Sequence, residues 1–287
     1  MALVKISDTI SQKYDTATTG DKAFDIRGYM ERRAQALNEV VGNMNTVDGL
    51  ECKKCLNRGD IAVATEEYDG GWNVVHRPCK CMKVRRSIRQ MQRSGLQNVI
   101  RDYTFDKFKD EDFWQQDIKQ KAMDYARDQE GKWFFIGGQS GCGKTHLCTA
   151  ICREFLLAGR EVRYMMWRDD IVKIKAAAND SELYAERINP LKMAEVLYID
   201  DLFKTGRGRD GEKQWPTGAD INAAFEIFNY RTVNRLPTVI SSECSIDDLL
   251  DIDEALGSRI YAEAGRFGTS IDPDRGKNYR IKGVTRL

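Results

Sequence analysis

Gly137-Gly138-Gln139-Ser140-Gly141-Cys142-Gly143-Lys144-Thr145 follows the apolar run Trp133-Phe134-Phe135-Ile136 and leads into His146-Leu147-Cys148-Thr149-Ala150-Ile151-Cys152. From Gly138 to Thr145 it fits G-x-x-x-x-G-K-[ST], between a buried-strand pattern and a helical one, the context in which that spacing carries meaning. Glycines let backbone N–H groups approach a phosphate chain, a lysine reaches the terminal phosphates, and the hydroxyl of Thr145 suits Mg²⁺. The N-terminus of the following helix adds a partial positive charge. The stretch predicts a nucleotide-binding loop of Gly138, Ser140, Gly141, Cys142, Gly143, Lys144, Thr145 and His146, with ATP and Mg²⁺ as ligands. A turn that merely joins strand to helix does not require Lys-Thr there.

Downstream, Glu161 to Trp167 reads as a second strand and Asp169 to Ala178 as a helix with a basic face. Val196-Leu197-Tyr198-Ile199-Asp200-Asp201 is an apolar run closed by two carboxylates, the second half of a nucleotide site. Asp200 is expected to hold the Mg²⁺ shell and Asp201 to orient the attacking water. Phe203 to Gly218 is rich in Gly, Lys and Arg and reads as a loop; Ala219 to Arg235 reads as a helix. Thr238 to Glu243 is the next strand and Ile246 to Ala264 a further helix, with short closing strands around Gly268 to Ile271 and Tyr279 to Ile281. Upstream, Asp110 is placed to cap a helix carrying Trp114, Ile118, Ala122 and Tyr125 and closed by Gly131. Strands alternating with helices imply an α/β fold, a parallel sheet flanked by helices.

The first part of the chain has a different character. Residues 1 to 21 are polar and aperiodic, and Asp21 to Val41 reads as one or two amphipathic helices. Cys52-Lys53-Lys54-Cys55 and Cys79-Lys80-Cys81 then flank two strand-like runs, Ile61 to Ala64 and Trp72 to Val75, joined by the hairpin signal Asp69-Gly70-Gly71. A ribbon with a cysteine pair at each end brings four thiolates to one tetrahedral, structural Zn²⁺. The C-x-C spacing of the second pair leaves His76 as an alternative ligand. A unit this small needs such a staple, because structural zinc supplies about 10 to 16 kcal/mol of apparent binding energy. Lys80, Lys83, Arg85, Arg86, Arg89, Arg93 and Arg101 follow without an acid among them. With Val84, Ile88 and Met91 at helical spacing, they predict a basic amphipathic helix ending near Gly95, with Arg85, Arg89 and Arg93 along one face. Such a face serves equally as a solvated linker or as a nucleic-acid contact. The expected organisation is an N-terminal zinc-bearing domain over 1–81, a basic helical linker over 82–102, and a nucleotide-binding domain over 103–287.

The chain has 287 residues, 41% hydrophobic and 31% charged, with a formal net charge of +1, so any pull on nucleic acid must come from local patches. No run approaches the roughly 18 to 20 apolar residues that span a bilayer, and the N-terminus lacks the pattern of a secretory signal, which predicts a cytoplasmic protein without membrane partners. Eight cysteines in that compartment are expected to be reduced, with Cys148 and Cys152 serving as small core residues. The two histidines, His76 and His146, form no nucleophile arrangement.

These motifs together resemble the AAA+ ATPases, and within them the bacterial helicase loaders of the DnaC and DnaI type and the related IstB transposition ATPases. The resemblance runs from about Arg93 onward, on Arg93-Ser94-Gly95-Leu96, Tyr103-Thr104-Phe105-Asp106-Lys107-Phe108, the phosphate loop, Tyr198-Ile199-Asp200-Asp201-Leu202, Phe228-Asn229-Tyr230-Arg231, Arg235 to Ser242, and Gly257-Ser258-Arg259-Ile260. It implies that Arg259 is an arginine finger reaching a neighbouring subunit's nucleotide, so that the chain self-associates, and that no helical lid follows. It implies a replicative DNA helicase as partner, docked through the cysteine-bearing part. It implies single-stranded DNA contact near Trp167, Arg168, Lys173 and Lys175. It also places Glu243 in the catalytic site, where the family carries a small polar residue or Asn. A carboxylate there repels the γ-phosphate unless it meets Mg²⁺, takes a proton or turns away. A transposition helper and an ATP-binding adaptor that does not hydrolyse are the competing expectations.

Overall fold

Five parallel strands form the central sheet of the computed structural model, which describes residues 24–93, 95–96, 99–128, 132–205, 214–274 and 277–280. The sequence readings for residues 1–21, Gly131, Ile281 and 206–213 of the Gly-rich loop lie outside those residues. The strands are β3 (Trp133–Gly138), β4 (Val162–Met166), β5 (Val196–Leu202), β6 (Thr238–Ser242) and β7 (Gly268–Ile271), in the order β4-β5-β6-β3-β7. Helices alternate with them: α5 (Phe113–Arg127), α6 (Lys144–Leu157), α7 (Trp167–Ala176), α8 (Ser181–Lys192), α9 (Gly218–Val233), α10 (Ile246–Ile252) and α11 (Glu254–Ala264). Before α5 stand α1 (Ile26–Glu39), α2 (Met44–Asp48), the hairpin β1 (Asp60–Glu66) and β2 (Trp72–Pro78), α3 (Cys81–Arg93) and α4 (Val99–Asp102). Among the described residues no helix is long and apolar enough to cross a membrane.

Strand side chains alternate between two faces, and each face has its own core. Phe134 and Ile136 of β3 with Val196 and Tyr198 of β5 pack against α6 through Leu147, Ile151 and Phe155, and against α5 through Ile118, Ala122 and Tyr125. Trp133, Phe135, Leu197 and Ile199 point the other way, onto Ile171 of α7, Ile188 of α8, Phe228 of α9 and Ile260 of α11. The phosphate-loop helix α6 and the arginine-bearing helix α11 therefore lie on opposite faces.

The chain divides into two compact units. The smaller comprises the described residues up to Val40 together with Ile61–Arg77. In it Asn38 ties α1 to β1, donating to Ala62 O at 2.8 Å and accepting from Ala62 N at 2.9 Å, and Arg27 lies 5.2 Å over the Trp72 ring. The larger unit takes Val41–Asp60 and the described residues from Pro78 onward. The cysteines and the expected linker helix thus fold with the central sheet: Val84, Ile88 and Met91 of α3 share a core with Leu147 and Ile151 of α6. The same helix covers the sheet's edge strand, Ser87 Oγ accepting from Val162 N at 3.2 Å and Gln90 Nε2 donating to Tyr164 O at 3.3 Å.

Several local expectations shift. On α3 the exposed basic row is Lys83, Arg86, Arg89 and Arg93, whereas Arg85 is fully buried and pairs with Asp48. Asp112 caps α5, its N–H donating to Gln115 Oε1 at 2.6 Å, while Asp110 pairs with Lys119 at 2.8 Å. The helix expected over Ile246 to Ala264 breaks at extended Asp253, whose carboxylate caps α11 by accepting from Leu256 N at 2.8 Å. Helix α8 had no counterpart in the sequence reading, since Pro190 in its interior interrupts the helical signal. Tyr279 and Arg280 form a turn rather than a strand, and Tyr279 N donates to Gly141 O at 3.0 Å.

Candidate functional site

The register of the sheet builds the site around Asp200. Tyr198 lies two residues before it and so on the same face of β5, and pairs across the ladder with Tyr164 of β4. The Tyr198 hydroxyl donates to Asp200 Oδ1 at 2.8 Å and the Tyr164 hydroxyl to Oδ2 at 3.0 Å. Ser241, on β6, donates to Oδ1 at 2.5 Å, and the Thr145 hydroxyl lies 3.3 Å from the same oxygen. Burial, with the Asp200 carboxylate beside them, pushes both phenols far above the usual tyrosine range, so they stay protonated and act as donors. The sequence reading missed Tyr164, Tyr198 and Ser241; only the period-two spacing of Tyr198 and Asp200 could have revealed one of them.

The phosphate loop closes over α6 as its glycines require. Gly138 has φ +92°, and a Cβ there would run into Ile271 O; Gly143 has φ +96°, and a Cβ would meet Phe108 Cε2 at 2.6 Å. Lys144 Nζ donates to Gly138 O at 2.9 Å and to Gln139 O at 2.7 Å, folded onto its own loop. Cys142 is buried and donates through Sγ to Gln139 O at 3.0 Å, so its side chain belongs to the core. Ser140, Gly141, Gly143, Lys144, Thr145 and His146 line a cleft of about 270 Å³ together with Tyr103, Asp201, Lys204, Glu243 and Arg280. His146 is fixed by Nε2 at 2.8 Å from Thr104 O and by edge contacts with Tyr103 and Phe108.

Beyond Asp200 the strand ends in a bend: Asp201 and Phe203 have φ of +57° and +58°. Ser241 Oγ accepts from Asp201 N at 3.0 Å, Ser242 Oγ donates to Leu202 O at 2.7 Å, and Phe203 stacks edge-on against Trp167. That anchoring aims Asp201 and Lys204 into the cleft, where Lys204 Nζ lies 2.8 Å from Asp201 Oδ2 and 3.1 Å from Glu243 Oε1.

The family profile described as IstB-like ATP binding protein matches residues 73–214. The phage-like element PBSX protein XkdC of Bacillus subtilis is 30% identical over 244 residues, 82% of this chain and 87% of that protein. The chain belongs to the IstB-like AAA+ ATPase family of DnaC- and DnaI-type helicase loaders. The replicative helicase loader DnaC of Escherichia coli K12 is 25% identical over 224 residues, 76% of this chain and 85% of its own length. A crystal structure of the DnaC helicase loader superposes with a TM-score of 0.48 at 18% identity, covering 61% of this chain and 98% of that one. As an AAA+ member the chain is an ATP-binding protein.

The remaining expected residues are scattered around this AAA+ core. Arg259 on α11 is half-buried, its guanidinium 4.7 Å over the Phe225 ring and its Nη1 buried without a hydrogen-bond partner. Among the described residues it forms no ion pair with Glu254 or Glu263. Trp167 is 1% exposed and packed in the core on Phe203, so its ring is not available to stack on a base, which corrects that expectation. Arg168 and Lys173 are exposed, with Lys173 paired to Asp170 at 2.8 Å, while Lys175 pairs with Asp220 at 2.6 Å.

Cys52, Cys55, Cys79 and Cys81 converge, with all four sulfurs within 4.8 Å of one another. His76 is not part of this group. Gly59 N donates to Cys55 Sγ at 3.3 Å. Burial raises the Cys52 thiol, but the backbone N–H groups of Cys55 and Lys54, with the neighbouring thiols, outweigh it and bring it down to about 7. Four sulfurs at this spacing, with N–H groups aimed at them, fit a tetrahedral metal such as Zn²⁺. Arg85 supports the first pair: it donates to Leu50 O at 2.9 Å and to Asn57 Oδ1 at 3.1 Å, and Asn57 Oδ1 also accepts from Cys52 N at 2.8 Å.

Proposed function

We propose that this protein is an ATP-dependent helicase loader, binding a replicative DNA helicase and helping to deliver it onto single-stranded DNA. The observation that carries the reading is the convergence of Lys144, Thr145 and Asp201 in one cleft, with buried Asp200 3.3 Å from the Thr145 hydroxyl, in a family that includes helicase loaders. The loop N–H groups and Lys144 hold the phosphates, and Thr145 with Asp200 holds Mg²⁺, which neutralises charge on the terminal phosphates when bound. Asp201 orients the attacking water. Arg259 acts in trans on a neighbouring copy's nucleotide: its helix lies on the sheet face opposite α6, and among the described residues its guanidinium rests on the Phe225 ring rather than on an acid. Residues 1–81, with Zn²⁺ on Cys52, Cys55, Cys79 and Cys81, form the helicase-docking part. Arg168 and Lys173 offer charge to a DNA backbone.

The test is ATP turnover by the parent and by Asp201→Asn, with and without replicative helicase and single-stranded DNA, together with co-purification of the helicase. Turnover lost in Asp201→Asn and a stable helicase complex are expected. Stimulation by duplex DNA without helicase binding would identify a transposition helper instead. Tight ATP binding without turnover would identify an adaptor.

A further inference from the structure

Glu243 presents a problem that the nucleotide site must solve. It stands at the end of β6, next to the strand carrying Asp200 and Asp201, and its carboxylate lines the same cleft as Lys144 and Thr145. Two carboxylates on one wall of a polyanion site are mutually unfavourable and unfavourable to the ligand. Lys204 stands between them, 2.8 Å from Asp201 Oδ2 and 3.1 Å from Glu243 Oε1. Its position is fixed: Lys204 N donates to Asp201 O at 2.9 Å, closing a turn whose Leu202 and Phe203 are buried. The three side chains are each about one-third exposed, so the ammonium bridges the acids at the cleft wall rather than in bulk water.

We propose that Lys204 is the positioning residue that makes this site compatible with Glu243: its ammonium bridges the Asp201 and Glu243 carboxylates, so the terminal phosphate meets one net negative charge on this wall instead of two. The proposal rests on the reading of this cleft as an ATP site. It adds a residue to the three acids and replaces the outcomes foreseen for Glu243, contact with Mg²⁺, protonation or turning away, with a dedicated counter-ion. Because the pair faces the γ-phosphate end, beside Asp201, it acts on ATP more than on ADP.

The experiment is isothermal titration of full-length protein with Mg²⁺-ATP and Mg²⁺-ADP, for the parent, Lys204→Ala, Lys204→Arg, Glu243→Gln, Lys204→Ala/Glu243→Gln and Lys144→Ala. Lys204→Ala is expected to weaken ATP binding about 10- to 100-fold and ADP binding less than about 3-fold, since a screened, partly exposed charge is lost at one end of the ligand. Adding Glu243→Gln should restore most of the ATP affinity, and Lys204→Arg, which keeps the charge, should stay within about 3-fold of the parent. Melting temperatures measured alongside show that each variant is folded. A Lys204→Ala protein that binds ATP like the parent overturns the proposal. So does a double variant as weak as Lys204→Ala, or an equal loss for ADP. If Lys144→Ala abolishes ATP binding while Lys204→Ala leaves it unchanged, this proposal alone falls. A parent that binds no ATP, or a Lys144→Ala protein that binds it as tightly, overturns the nucleotide reading and this proposal with it.

Discussion

Replacing Asp48 with alanine tests the argument that the cysteine cluster is built into the ATPase unit. Asp48 ends α2, and its Oδ1 accepts from Leu50 N at 3.1 Å and from Arg85 Nη1. Both charged side chains are shut off from solvent, at 0% and 2% side-chain exposure for Arg85 and Asp48. Removing the carboxylate leaves a buried guanidinium beside Leu50 O, Asn57 Oδ1 and the Cys81 sulfur. Breaking a buried pair from one side costs about 3 to 5 kcal/mol, because the remaining charge stays desolvated. These remaining partners hold the cost near the lower figure. In a domain of this size each kcal/mol moves the midpoint by about 2 to 4 °C, so Asp48→Ala should melt about 6 to 12 °C below the parent. Because Val84, Ile88 and Met91 share a core with α6, calorimetry should show the whole ATPase unit moving as one transition. Asp48→Ala/Arg85→Met, which removes the orphaned charge, should recover most of the loss. An Asp48→Ala midpoint within about 2 °C of the parent would refute the reasoning. A double variant no better than the single one would do the same.

Trp167→Ala should cost about 3 to 5 kcal/mol of stability, as for a buried Trp, while DNA affinity per folded molecule stays unchanged; lost DNA binding at parental stability would return Trp167 to the DNA face. Elemental analysis of protein purified without chelator should find one zinc per chain, and less than about half an equivalent would sink the assignment. Cys52→Ser, which removes one sulfur of the cluster, should lower the midpoint of the ATPase unit itself, because the cluster's loop is tied through Asn57 to Arg85 of α3; a variant melting like the parent and still holding zinc would contradict this. Arg259→Ala should bind ATP normally and lose about 10³-fold or more of its turnover in the assembled state, with partial recovery when mixed with Lys144→Ala protein. Unchanged turnover in an assembled, active preparation would show that Arg259 is not a finger.

The linear sequence was sufficient for whatever depends on local spacing. The eight-residue phosphate loop, the apolar run ending in Asp200-Asp201, the two cysteine pairs around a hairpin and the strand–helix alternation are all short-range patterns, because backbone conformation and side-chain period act over a few residues. What escaped it depends on register and on which face an element buries. Tyr164 and Ser241 reach Asp200 from other strands, and only ladder pairing brings them there. Arg85 and Trp167 carry residue types that suggest nucleic acid, yet one is consumed by Asp48 and the other by Phe203, since burial is decided by neighbours far away in the chain. The cysteine cluster's place in the ATPase unit follows from α3 covering the β4 edge, a contact across 75 residues between Ser87 and Val162. Lys204 is the sharpest case: nothing in Leu202-Phe203-Lys204 announces a site residue. The left-handed bend at Asp201 and Phe203 and the parallel neighbour β6 place its ammonium between Asp201 and Glu243, residues that the chain separates and the sheet brings together.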